Sequence, residues 1–179
     1  MFYSSPSKGA DGLYFVKAST DEKSKCFIQL NNVKVSEVSG EMVFDVVSEE
    51  NTQKITDVQT TNLSAAEENC EEWFGKKLSS TVLSGAYQSA VSDGQMTADI
   101  ITEPRVRVFN KTHEPLDFDV VQPGKTCDLL VEFAGIWFAK KAFGGHWNIV
   151  QVRVHEDPPV VEDVYPEEYA FDDEVETPQ

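Results

Sequence analysis

Residues 129–155 read LLVEFAGIWFAKKAFGGHWNIVQVRVH. Two runs rich in β-branched and aromatic residues, 129–139 and 147–155, flank a basic loop, Lys140-Lys141, that continues through Phe143 and the diglycine Gly144-Gly145. Such runs bounded by glycine predict two long strands with a bend between them. In the first run Trp137 alternates in register with Leu129, Val131 and Phe133, so it is read as core. In the second, Val150, Val152 and Val154 are expected on one face, with Trp147, Ile149, Gln151, Arg153 and His155 on the other.

Working upstream, Gln122-Pro123-Gly124-Lys125 is a strong turn signal, and residues 105–109 alternate strictly. There Val106 and Val108 point one way, Arg105, Arg107 and Phe109 the other. Asp117 and Asp119 alternate in an expected strand and read as a solvated face. Residues 13–17, 26–35 and 42–47 predict three further strands, the third opened by Ser39-Gly40 and closed by Ser48-Glu49-Glu50-Asn51. Residues 64–77 differ. Ser64 with Glu67 forms a capping box, and Ala66, Cys70, Trp73, Phe74 and Leu78 make one apolar helical stripe, ending near Gly75. Trp73 and Phe74 on that stripe are expected in the core. In residues 80–91, Leu83, Tyr87 and Val91 favour a short second helix.

Three strands, a capped helix, then further strands is the order of a mainly β, OB-fold-like Greek-key barrel, with the helix between the third and fourth strands. An immunoglobulin-like sandwich has no natural place for such a helix. The expected organisation is a loose arm over residues 1–12, a barrel domain over 13–155, and a disordered acidic tail over 156–179.

Charge supports that division. The 179 residues hold 31 acids and 15 bases, a net of −16, which by itself opposes a nucleic-acid partner. Residues 156–179, however, carry ten acids and no base. The first 155 residues are only mildly acidic, and their bases can cluster on one face. Cys26, Cys70 and Cys127 lie far apart without the spacing of a zinc site and read as packed thiols. No secretory h-region and no apolar run long enough for a membrane span is evident. No phosphate loop, nucleophile elbow or metal-spaced histidine pair is present, so the chain is read as a non-enzyme without cofactor or metal.

The strand faces that mix arginine with aromatic rings suit a single strand of nucleic acid, since rings stack on bases and cations track phosphates. The candidate contacts are Arg105, Arg107, Phe109, Lys111, Lys140, Lys141, Phe143, Trp147, Gln151 and Arg153, while His146 and His155 read as ordinary surface histidines. The alternative is an acidic protein-interaction module, a histone-like chaperone or viral structural protein, which accounts for the charge but not for arginines and rings sharing faces. A single-stranded RNA binder is a further alternative.

Phe133-Ala134-Gly135-Ile136-Trp137-Phe138, Phe143-Gly144 and Trp147-Asn148-Ile149-Val150-Gln151-Val152, with Trp73-Phe74-Gly75-Lys76, resemble the single-stranded DNA-binding proteins of nucleocytoplasmic large DNA viruses. That family is similar to the phage replicative single-strand binders, which have an OB-fold and an acidic C-terminal tail. The resemblance implies coating of single-stranded DNA in viral replication, recombination or repair, in the host nucleus or at a cytoplasmic replication site. It also implies homodimers, and a tail that recruits DNA polymerase, helicase or other replication proteins. The tail residues concerned are Glu162, Asp163, Glu167, Glu168, Tyr169, Phe171, Asp172, Asp173 and Glu174. Phage tails end on an aromatic residue. Here the sequence ends Glu-Thr-Pro-Gln, with Tyr165, Tyr169 and Phe171 set inside.

Overall fold

The computed structural model describes residues 1–156 and 165–171. Strands β1 (Phe2–Tyr3), β2 (Ser7–Lys8), β3 (Tyr14–Ser19), β4 (Cys26–Val38) and β5 (Glu41–Asp45) precede helices α1 (Glu49–Glu68), α2 (Cys70–Phe74) and α3 (Ser80–Ala86). Strands β6 (Tyr87–Gln88), β7 (Val91–Ser92), β8 (Gln95–Ile100), β9 (Arg107–Phe109) and β10 (Pro115–Leu116) follow, then β11 (Thr126–Phe138) and β12 (Phe143–Val154).

Five strands close into a ring. β4 pairs β5, β5 pairs β8, β8 runs parallel to β12, β12 pairs β11, and β11 returns to β4. Closure satisfies backbone groups that an open sheet leaves at its edges. This is the expected OB-type barrel. The expected strand over 13–17 exists as β3 but stays outside the ring, on the edge of β11 that β4 has left. β9 likewise extends the edge of β12 beyond β8.

Between β5 and β8 stand three helices where two were expected, because the helix expected over 64–77 is the end of a longer α1 followed by α2. α1 begins at Ser48, whose hydroxyl oxygen accepts from the Asn51 N–H at 3.2 Å. Ser64, read as the cap, lies exposed in mid-helix. The reason is that much of α1 buries polar or small residues. Asn51 exchanges hydrogen bonds with the Asn31 backbone of β4 at 3.1 and 2.7 Å. Asn62, fully buried, accepts from the Tyr3 hydroxyl at 2.7 Å and donates to the Tyr87 hydroxyl at 3.1 Å. Trp73 and Phe74 of α2 are in the core side of the molecule as expected, edge-on to Phe138, with centroids 5.6 and 5.4 Å away. Ser79 caps α3, which fills only the first part of the second helix expected over 80–91: Leu83 is buried on it, but Tyr87 and Val91 begin strands β6 and β7.

β8 has no counterpart among the expected strands. Asp93 and Gly94, both at positive φ (53° and 75°), turn the chain from β7 into it, and Met96 and Ala98 point into the core. Asp117 caps a 3₁₀ turn (Phe118–Val120) that contains Asp119, so neither sits in a strand; the Asp117 carboxylate accepts from the Asp119 N–H at 3.0 Å. The first residues form no loose arm, because β1 and β2 both pair with β3.

Two β-bulges decide which side chains reach the surface. Leu130 opposes Gln151 but Val131 opposes Ile149, so Val150 is the extra residue on β12; Ala134 is the extra residue on β11. Since strand faces alternate with period two, one extra residue exchanges inside for outside beyond it. The inward residues of β12 are therefore Trp147 and Ile149 before the bulge and Val152 and Val154 after it. On β11 they are Leu129, Val131 and Phe133, then Ile136 and Phe138.

Candidate nucleic-acid interface

The bulges split the expected binding residues. Gln151 and Arg153, beyond Val150, face outward, but Trp147 is 4% exposed and packs on Phe133 with centroids 5.1 Å apart. Trp147, expected beside the arginines, is core. Phe143, expected to extend the basic loop, is fully buried at the start of β12, edge-on to Phe74 and Tyr87 at 5.2 Å each. Lys140 and Lys141 remain exposed in the β11–β12 turn.

Arg105, Arg107 and Phe109 keep the expected face, with Val106 and Val108 buried opposite. Because β9 pairs parallel to β12, Arg107 stands beside Gln151 and Phe109 beside Arg153. Gln151 in turn pairs Leu130, and Leu130 pairs Gln29, so one row runs across four strands of the outer face. A cavity of about 310 Å³ opens on it, lined by Gln29, Phe109, His113, Asp128, Gln151 and Arg153 among others. Phe109 also borders a second hollow, with Arg105 and Arg107. Lys111 lies exposed in the tight turn that Asn110 organises by accepting from the Thr112 and Glu114 N–H groups, 2.9 Å each.

Arg153 is not a free cation. Its Nε and Nη2 donate to Asp128 Oδ2 at 2.7 and 2.6 Å, and His155 Nε2 lies 2.8 Å from Oδ1, which also accepts from the Asn32 N–H at 2.9 Å. Burial alone would raise the Asp128 carboxyl, but the Asn32 N–H, Arg153 and His155 outweigh it and hold the group below the usual carboxylate range. Lys25 is similarly engaged, 3.1 Å from the buried Glu132. Arg105 and Arg107 make no ion pair among the described residues.

Sequence reading missed a second set of side chains on the same face. Phe15 pairs with Trp137, which in turn pairs with Gly144; Lys17 and His146 both pair with Gly135. Trp137, expected in the core, is turned outward by Ala134 and half-buried, and Phe27 on β4 is 51% exposed. The available signal was Gly135, since a glycine inside a strand marks a bulge or a close approach. Of the expected tail contacts, Glu167, Glu168, Tyr169 and Phe171 are exposed, with the last two rings 5.4 Å apart. Glu162, Asp163, Asp172, Asp173 and Glu174 lie outside the described residues, as does most of the expected tail.

No curated protein matches the chain. Among solved structures, it is similar to gp2.5, a single-stranded DNA-binding protein encoded by bacteriophage T7. The identity is 8% and the TM-score 0.52, covering 83% of this chain and all of that one. A second similar structure is the single-stranded DNA-binding protein from bacteriophage Enc34 in complex with single-stranded DNA. There the identity is 14% and the TM-score 0.49, covering 86% of this chain and 95% of that one. The T7 likeness carries the barrel fold. In sequence, residues 31–173 match the model of one family, so the chain belongs to DUF5871, a family of unknown function.

Proposed function

We propose that this protein binds single-stranded DNA, largely without regard to sequence, and acts on strands exposed during replication, recombination or repair of a viral genome. The observation that carries this reading is the outer row of the barrel. There Arg105 and Arg107 project into solvent beside Phe109 and beside a shallow cavity. Cations that track phosphates next to a ring that receives a base are the two ingredients of single-strand recognition. The T7 protein that shares the fold is itself a single-stranded DNA-binding protein, which supports the reading. The viral setting follows the resemblance of residues 133–152 and 73–76.

The acidic tail is proposed to compete with DNA for this face and, once displaced, to engage polymerase, helicase or other replication proteins. Among the described residues no helix is long and apolar enough to cross a membrane. The proposed place of action is the nucleus or a cytoplasmic replication site of an infected cell.

Fluorescence anisotropy with labelled single-stranded DNA, single-stranded RNA and duplex DNA of one length tests the reading. The expected order has single-stranded DNA tightest. Arg107→Glu is expected to weaken it and to flatten the salt dependence, by about 0.7 in the log–log slope for each phosphate the variant leaves unneutralised. Absence of binding at low salt refutes the proposal, and equal binding of RNA moves the assignment to single strands in general.

A further inference from the structure

We infer that Trp137 and Phe15 form a base-stacking platform, and that a bound single strand runs from the Arg107–Phe109 row across the outer face to the Lys140-Lys141 turn. The inference rests on the single-strand reading above and extends it to residues at the opposite end of the same sheet.

The glycines carry the argument. A Cβ built on Gly144 would lie 2.9 Å from Cζ2 and 3.1 Å from Cε2 of Trp137; one on Gly135 would lie 2.8 Å from Cζ of Phe15 and 2.0 Å from the Val16 carbonyl oxygen. Each ring therefore rests on bare backbone of the neighbouring strand. Without a Cβ beneath them the two rings settle close to the sheet, and both stay partly exposed on its outer face, where a nucleobase can reach them. His146 stands edge-on to Phe15 with centroids 6.0 Å apart and fixes one side of the platform.

Charge points to the same ligand. Lys17, Lys140 and Lys141 surround the platform, are exposed, and make no ion pair among the described residues. Between the platform and the arginine row lies Glu132, a carboxylate that would repel phosphate, but Lys25 sits on it at 3.1 Å and Asn148 donates to it at 3.4 Å. Along β12, Arg153 stands seven positions beyond His146, roughly 20 Å of strand, which is about six nucleotides at stacked spacing. A path of that length falls within the range of site sizes for one OB barrel.

The other two tryptophans, Trp73 and Trp147, are 9% and 4% exposed, so Trp137 is the indole within reach of a base. Intrinsic fluorescence and anisotropy are to be measured during titration with oligothymidylate, for the full chain and for Trp137→Phe, Trp137→Ala, Phe15→Ala and Arg107→Glu. Stacking predicts quenching in the full chain that disappears in Trp137→Phe, whose affinity stays near the original because a ring remains. Trp137→Ala and Phe15→Ala should each reduce affinity about 5- to 150-fold, the range for removal of one stacked ring. If Trp137→Ala does not fold, Trp137→Phe still decides by its quenching. A chain that binds, weakens with Arg107→Glu, yet keeps full quenching in Trp137→Phe or full affinity in the folded alanine variants, overturns the platform alone. A chain that binds no oligothymidylate overturns the single-strand reading, and the platform with it.

Discussion

At Asp128 burial and pairing pull the carboxyl in opposite directions, and pairing wins. A carboxyl held low in the folded state contributes stability that is complete above its unfolded value, near 4. That contribution is lost as pH falls through the lower folded value. Urea midpoints measured from pH 6 downward should therefore fall at the acid end in the natural chain. Asp128→Asn should lack this share of the acid loss while being about 1–3 kcal/mol less stable at neutral pH, where its charged hydrogen bonds are gone. The same substitution releases Arg153, so single-strand affinity should rise although stability drops. Trp147 makes the opposite case. Alternation assigns its ring to the surface, whereas it lies against Phe133 inside the barrel. Trp147→Ala should thus cost about 3–5 kcal/mol in unfolding free energy. An unchanged urea midpoint with abolished DNA binding would return the ring to the surface.

For whole elements, local signals identify where most strands lie, and misplace the faces and helix starts that bulges and polar burial control. β4, β5, β9, β11 and β12 were all legible, as were the turn at Pro123-Gly124 and the short α3. β8 was legible in principle: Asp93-Gly94 between β-rich runs is a hairpin signature, and both residues adopt the positive φ that such a turn requires. The faces beyond Val150 and Ala134 could not be read from period two, because a bulge adds one residue without changing the composition around it. Thus Arg107 and Phe109, on a strand without a bulge, kept their predicted face, as did Arg105 just before it, and Trp137 and Trp147 exchanged theirs. The start of α1 was hidden for another reason. Asn51 and Asn62 are buried by long-range hydrogen bonds to β4, Tyr3 and Tyr87 that no local pattern announces. Paired substitutions separate the two candidate caps. Ser48→Ala should cost about 1 kcal/mol, the usual loss of an N-cap. Ser64→Ala, exposed in mid-helix, should be neutral or slightly stabilising because alanine is the better helix former. Equal losses in chemical denaturation would return the helix start to Ser64.

Across the whole molecule, most of the net negative charge lies beyond the barrel. Residues 156–179 carry ten of the 31 acids and none of the 15 bases. They begin directly after β12, the strand that bears Arg153 and pairs with Arg107 and Phe109. On the proposed reading, an anionic segment tethered to that strand would reach the cationic row at high effective concentration, and would compete with DNA without needing a tight hold of its own. Its hold on exposed arginines is also screened by salt, over a Debye length that shortens from about 30 Å at 0.01 M to about 10 Å at 0.1 M. Ending the chain at His155 should therefore tighten single-strand binding most at low salt, with the two affinity curves converging as salt rises. It should also steepen the log–log slope against salt, because in the full chain added salt weakens self-competition and phosphate binding together, and the two effects partly cancel. Anisotropy titrations of both chains across a salt series test this directly. Parallel curves, with a constant gap or none, would mean that the tail does not occupy the arginine row, whatever partners it engages elsewhere.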